Sequence, residues 1–354
     1  VTTIIFNDII AKFTGQKPGI KMQKIFLLIC SLIIFVSCAG TSQRPLGYDA
    51  ELSSYQYPFA VSFYQFKSQK QEMKMAYMDV RPEGIEKETI VLLHGKNFPA
   101  AYFEILIRAL SREGYRVIAP DQVGFGKSTK PHNYQYSFQV LAENTHNLLA
   151  SLALKKYILL GHSMGGMVAT RFALMYPESL SKLFLVNPIG LEDWKTMTPY
   201  RNVDQIYQSE LKTTAESIKK YQMENYYNNI WKAEYDKLNA GPIGWLKNPE
   251  YPLVAWNSAL LYETIYTQPV CYEFKNIKVP TVLFIGQNDR TAPGKAGASE
   301  EIRKTMGNYP MLGRQTKKLI PGSKLVELPG LGHVPFIENF EVFWKEFKVF
   351  GLEN

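Results

Sequence analysis

The residues best suited to chemistry are Gly161-His162-Ser163-Met164-Gly165-Gly166, which follow the apolar run 157–160 and precede a helical pattern over 167–176. Strand, sharp turn, helix is the setting in which G-x-S-x-G presents a nucleophilic serine. Glycines stand where side chains would collide, and the turn lifts the Ser163 hydroxyl to the carboxyl edge of a sheet. The Met164 amide then lies at the positive end of the following helix, where an oxyanion is held. A serine hydroxyl is a poor nucleophile at neutral pH, so it needs a base, and the base needs an orienting group. Of five histidines, His333 is placed to serve as general base. It lies in the short loop Gly330-Leu331-Gly332-His333 after the last strand-like run. Asp289 follows the strand-like run 282–285 through Gly286-Gln287-Asn288 and is expected to orient His333 and stabilise its imidazolium. Asp193, in Gly190-Leu191-Glu192-Asp193-Trp194, is the competing orienter, more in keeping with a loop or cap residue. His94-Gly95 end the strand expected beside the nucleophile strand, which makes the Lys96 amide the second oxyanion donor. His94 reads as structural, bridging loops by hydrogen bonds, and His162 as packed. His132 and His146 show no metal-ligand spacing, so neither a metal nor a cofactor is expected.

These residues need a scaffold that brings strand ends together. Residues 58–66 and 71–80 alternate apolar and polar positions and read as an antiparallel hairpin at a sheet edge. Runs 89–93, 115–119, 157–160 and 180–186 read as buried-type strands, with helices over 101–112 and 137–152 between them. This order predicts a doubly wound α/β fold with a mostly parallel sheet, its core formed by 58–188 and 274–354. Between them, 189–273 is rich in helical stretches (203–212, 214–227 and 254–266), punctuated by Pro242, Pro249 and Pro252. An insertion this long exceeds a crossover and predicts a helical cap. Its aromatics Trp194, Tyr226, Tyr227, Trp231, Trp245 and Trp256 are expected to wall an apolar pocket, with the core of the cap itself as the alternative. The core resumes at 279–285, followed by a helix over 295–306, a strand over 325–328 and a closing helix over 340–350. Residues 308–321 are a connection without an assigned role.

With 354 residues, 46% of them hydrophobic, the chain is long enough for one large domain carrying an insertion. The formal net charge of +8 is spread out. No basic stripe interleaved with aromatics predicts nucleic-acid binding. Met22-Gln23-Lys24 lead the apolar run 25–36, followed by Ser37-Cys38-Ala39-Gly40. This is the layout of a secretory signal over 22–37, with an uncleaved anchor helix as the alternative. Val36-Ser37-Cys38 resembles the lipobox of bacterial lipoproteins. That resemblance implies lipidation at Cys38, attachment to a membrane, and a protein facing the periplasm or the outside. Residues 1–21 read as an upstream extension, and 38–57 as a tether. After processing only Cys38 and Cys271 would remain, too few for a disulfide framework or a cysteine-based metal site.

The ordered set His94-Gly95, Asp121 with Gly124-Phe125-Gly126-Lys127-Ser128, Gly161 to Gly166, Asp289 and Gly332-His333 resembles the α/β-hydrolase superfamily. It looks like the capped branch that includes epoxide hydrolases, haloalkane dehalogenases, carbon-carbon bond hydrolases, non-heme haloperoxidases and small esterases. The resemblance implies oxyanion donation by the Met164 and Lys96 backbone amides. Ser163 stands where epoxide hydrolases and haloalkane dehalogenases carry aspartate, which argues against alkyl-enzyme chemistry and for acyl transfer to water. The expected substrate is a small or medium, partly apolar carboxylic ester. Alternatives are a carbon-carbon bond hydrolase, an aminopeptidase or an acyltransferase of the same fold, or a scaffold without turnover. Lys96 itself reads as a solvated side chain, with a cation for an anionic substrate as the sharper option.

Overall fold

The computed structural model describes residues 47–353. The expected upstream extension 1–21, the signal 22–37 and the lipidation residue Cys38 lie outside the described residues. Strands β1 (Val61–Ser68) and β2 (Gln71–Val80) form the expected antiparallel hairpin. Gln69 and Lys70 turn it with positive φ, 50° and 63°, as a two-residue hairpin turn requires. Then come β3 (Thr89–Leu93), α1 (Glu104–Arg112), β4 (Arg116–Pro120), α2 (Phe138–Ser151), β5 (Tyr157–His162), α3 (Met164–Met175) and β6 (Leu180–Val186). The sheet has eight strands in the order β1-β2-β4-β3-β5-β6-β7-β8, with β7 (Thr281–Gly286) and β8 (Lys324–Leu328) closing it. Every pairing from β4 onward is parallel.

The central strands are apolar on both faces because both faces are covered. Ile90, Leu92, Ile158, Leu160, Phe184 and Val186 enter one core, while Val91, Leu93, Leu159, Leu183 and Leu185 enter the other. Register then levels the carboxyl ends: Leu93 faces Gly161, His162 faces Val186, and Gly286 faces Leu328. A residue just past one of these ends is therefore near the residues just past its neighbours.

Between β6 and β7 the chain is helical, with α4 (Val203–Glu210), α5 (Ala215–Asn225), α6 (Ala240–Trp245) and α7 (Tyr251–Thr267). Asn202 and Thr214 open α4 and α5 with reciprocal capping hydrogen bonds. Helix α6 carries Gly241, Pro242 and Gly244, poor helix formers, and the pattern gave no sign of it.

Three expectations differ from the structure. The helix expected over 295–306 contracts to α8 (Glu300–Thr305). Gly294 at φ 79° breaks the chain before it, a single 3-10 turn follows, and Ser299 caps α8. The unassigned stretch 308–321 holds α9 (Tyr309–Leu319), capped by Asn308. Pro310 sits in its first turn, where a missing N–H is harmless. Its buried Gly313 packs on Ile285 of β7. Short α10 (Pro335–Glu338) and α11 (Phe340–Phe347) end the fold.

The third difference concerns the expected tether. Residues 47–57 are packed, not free: Ala50 and Leu52 are buried. Tyr48 N donates to Gly244 O (3.1 Å) and Trp245 Nε1 to Asp49 O (3.0 Å), fixing this segment on α6. Lys127 Nζ donates to Leu52 O at 2.6 Å, and Tyr57 Oη to Asp121 Oδ2 at 2.5 Å.

Candidate active site

Ser163 occupies the turn between β5 and α3 at φ 56°, ψ −123°, a conformation that crowds a side chain against its own backbone. The glycines around it answer to close approaches. A Cβ on Gly161 would stand 2.3 Å from Gly165 O, one on Gly165 2.1 Å from Leu93 O, and one on Gly166 2.4 Å from Pro188 Cβ. Met164 is the first helical residue of α3, where a backbone N–H has no intrahelical acceptor. The β3 exit lies alongside, since a Cβ on Gly95 would be 2.9 Å from Ser163 Cβ and 3.2 Å from Ser163 Oγ. Lys96 is the next residue.

His333 and Asp289 are fully buried and Ser163 nearly so. His333 Nε2 is 2.9 Å from Ser163 Oγ, and His333 Nδ1 is 2.7 Å from Asp289 Oδ2. An ionised carboxylate only accepts, so Nδ1 carries the proton and Nε2 is left to accept from the hydroxyl. Asp289 Oδ1 also accepts from Thr291 N (2.8 Å), and Oδ2 from Asn187 Nδ2 (2.8 Å). Asn187, just past β6 at φ 40°, accepts in turn from Gly286 N at 3.1 Å. Asp193 is not in this group: it caps the 3-10 turn at Trp194 and accepts from Tyr272 Oη (2.8 Å).

A second layer holds the His333 loop. His162 Nε2 lies 2.7 Å from the His333 carbonyl, and its Nδ1 lies 2.7 Å from Tyr102 Oη. A carbonyl only accepts, so Nε2–H donates and Nδ1 accepts from Tyr102, whose oxygen takes the Gly95 N–H at 3.3 Å. Burial, then the neighbouring His333, push the His162 pKa well below its ordinary value, which suits a neutral ring. His94 is likewise buried with a lowered pKa, and bridges Gly95 O (2.7 Å) and Gln122 N (3.0 Å). The amides flanking His333, those of Gly332 and Val334, donate to Glu338 at 2.8 and 3.0 Å. Burial pushes the Glu338 pKa up to about 7. Tyr226 stacks on His333 at 4.4 Å between ring centroids, accepts from His333 N (3.0 Å), and its hydroxyl accepts from Asn97 Nδ2 (2.6 Å).

Sequence reasoning missed Asn187, Tyr102, Tyr226 in this holding role, and Glu338. Asn187 had a signal, since it follows β6 as Asp289 follows β7. Tyr102 and Tyr226 act across long sequence separations, whereas Glu338 acts locally, on amides four and six residues before it.

Ser163 opens into a cavity of about 950 Å³ beneath the helical insertion. Tyr226 and Trp245 line it, but Trp194, Tyr227, Trp231 and Trp256 do not. Trp194 is buried with its indole N–H on Glu192, Tyr227 stacks on Tyr235 at 3.9 Å, Trp231 donates to Asp236, and Trp256 donates to His132 O. The wall is mixed, with Ile206, Ile218, Val254 and Ile265 beside Tyr221, Tyr251 and Tyr262. Lys96 is not solvated: its Nζ donates to Glu210 Oε1 (3.1 Å) and Ser258 Oγ (2.6 Å) on α4 and α7.

Comparison with known proteins adds to this geometry. Lipase 1 of Psychrobacter immobilis is 26% identical over 284 residues, 78% of this chain and 80% of that protein. Proline iminopeptidase of Lactobacillus helveticus is 26% identical over 289 residues, 75% of this chain and 90% of that protein. The crystal structure of a probable hydrolytic enzyme from Pseudomonas aeruginosa PAO1 superposes with a TM-score of 0.85 at 47% identity. The match covers 88% of this chain and 99% of that one. The family model for the alpha/beta hydrolase fold matches residues 88–340, a span that takes in Ser163, Asp289 and His333, and the chain belongs to that family.

Proposed function

We propose that the protein is a serine hydrolase that cleaves a small or medium, partly apolar carboxylic ester through an acyl-enzyme. The observation that carries this reading is the pair of contacts at His333, 2.9 Å to Ser163 Oγ and 2.7 Å to Asp289 Oδ2. In the first step His333 Nε2 takes the hydroxyl proton as Ser163 Oγ bonds to the acyl carbon. Charge collects on the former carbonyl oxygen, facing the backbone amides of Lys96 and Met164. His333 then gives its proton to the departing alkoxide as the ester bond breaks. Water, deprotonated by His333, adds to the acyl-enzyme and releases the carboxylic acid, and Ser163 recovers its proton. Asp289 keeps the imidazole in the productive tautomer and stabilises its charged form.

The relatives named as lipases support an ester, and the relative named as a proline iminopeptidase makes an amide the second reading. The mixed wall of the cavity suits an acyl group that is only partly apolar. Labelling of Ser163 by a fluorophosphonate, with turnover of short p-nitrophenyl esters, tests the reading. Ser163→Ala should abolish both, whereas full esterase activity in that variant would refute it. We also propose that Cys38 carries lipid and holds the protein at a membrane. Metabolic incorporation of radiolabelled palmitate that Cys38→Ser fails to remove would refute this.

A further inference from the structure

The cavity above Ser163 is lined by more cations than carboxylates: Lys96 is paired with Glu210, Glu224 stands 4.0 Å from Lys220, and three further cations remain at its rim. Arg201, Lys295 and Arg303 all line it. They come from separate segments that the fold brings together. A Cβ on Gly294 would lie 3.0 Å from Thr198 Oγ1 and 3.2 Å from Tyr262 Oη, and one on Gly297 would lie 3.9 Å from Pro199 Cδ. The turn carrying Lys295 thus rests on the chain that leads into Arg201. The Lys295 ammonium feels the charges of Arg290 and Arg303, and the Tyr262 phenol feels that of Arg201.

None of the three forms an ion pair among the described residues. Lys295 Nζ donates to Met306 O (3.1 Å), Arg303 to Ala298 O (3.0 Å), and Arg201 to Gln205 O (2.8 Å) and to Ser209 Oγ. The carboxylates that act on Lys295 are engaged elsewhere. Glu192 accepts from Trp194 Nε1 (3.1 Å) and Gly307 N (2.9 Å), and Asp289 holds His333. Lys96 differs, since Glu210 already neutralises it deeper in the cavity. A half-buried ammonium beside other cations is unfavourable in the empty protein. An anion arriving from solvent would offset that repulsion, and the unmatched field would draw it in.

We propose that the substrate carries an anionic group, a carboxylate or a phosphate, held at this rim by Arg201, Lys295 and Arg303 while its ester carbonyl lies at Ser163. The inference rests on the serine hydrolase reading and narrows its substrate class. Three partly solvated charge contacts are together worth about a tenfold change in kcat/KM.

The test compares two esters of equal acyl length, the p-nitrophenyl half-ester of glutaric acid and neutral p-nitrophenyl valerate, with the purified full chain at low salt. The half-ester should be preferred by about tenfold in kcat/KM. That ratio should fall toward one in the double variant Lys295→Met/Arg303→Gln, in Arg201→Gln, and in high salt. Because each variant is judged by a ratio, partial loss of active protein cancels. Competitive inhibition of valerate hydrolysis by free glutarate assigns the rim to carboxylates, and inhibition by inorganic phosphate instead assigns it to phosphates. A wild-type ratio at or below one, or a preference that all the variants retain, overturns the inference. Valerate turnover with Ser163 labelling leaves the hydrolase reading standing in that case, whereas loss of both removes the two together.

Discussion

Replacing Ser163 by alanine and by glycine removes the same hydroxyl and the same contact with His333, yet the two variants should differ in stability. Ser163 sits at φ 56°, ψ −123°, where a Cβ crowds the backbone and glycine is at ease. Holding a residue with a side chain there costs on the order of 2 kcal/mol. Alanine keeps that strain. Glycine loses it, while its greater freedom in the unfolded chain takes back about 0.5–1 kcal/mol. Ser163→Gly should therefore be more stable than Ser163→Ala by about 1 kcal/mol, or roughly 1–2 °C in Tm for a chain of this size. Urea unfolding and calorimetry of the two variants side by side measure the difference, with both lacking turnover. Equal stability, or a more stable alanine variant, would refute the reasoning that this bend stores strain to present the hydroxyl.

Tyr226→Phe keeps the ring over His333 but leaves Asn97 without its acceptor. It should lower kcat by about five- to tenfold with little change in stability, as read by ester kinetics and thermal unfolding. Asn187→Ala deletes the bridge between Asp289 and Gly286 N and leaves a buried residue at φ 40° without its side chain's bonds. Chemical denaturation should show a loss of about 2–3 kcal/mol. Acidification should also destabilise the fold. His94 and His162 have folded pKa values lowered from 6.5, so below 6.5 the unfolded chain binds up to two more protons there and stability falls as pH falls. Glu338, raised from 4.5 to about 7, acts in the opposite sense between those values. The two histidines together outweigh Glu338, so the net effect on the acid side of 6.5 is a loss of stability as pH falls. Glu338→Gln should steepen that fall in denaturation curves taken from pH 7 to 5, and an unchanged slope would count against the assignment.

The parts of the site readable from sequence are those set by short-range rules. Ser163, Asp289 and His333 each follow a strand by a few residues, and parallel register levels those strand ends. Their proximity thus follows from the fold class and was legible once the strands were. Of the parts that escaped, Tyr226 and Tyr102 join segments far apart in sequence, while Glu338 acts locally through backbone amides that a side-chain pattern does not show. Tyr226 comes from the helical insertion, Glu338 from the turn of helix after His333, and Tyr102 from before the first long helix. No spacing links them to Ser163. Helices α6 and α9 were hidden by glycine and proline at positions where a neighbouring ring or a first turn makes them harmless. Polar composition over 47–57 concealed a segment held by backbone carbonyls and by buried Leu52, features that a side-chain count does not register.

That segment has a practical consequence. Gly244 lacks a side chain because the Tyr48 ring lies on it, 2.1 Å from where a Cβ would be. The Trp245 indole, which faces the cavity, is steadied from behind by Asp49 O. A shortened protein starting at Pro58, trimmed where the recognisable hydrolase begins, would strip the outer support from a helix that shapes the substrate chamber. Expression trials should start ahead of Tyr48, and proteolytic nicking in this stretch would be felt in selectivity before it is felt in folding.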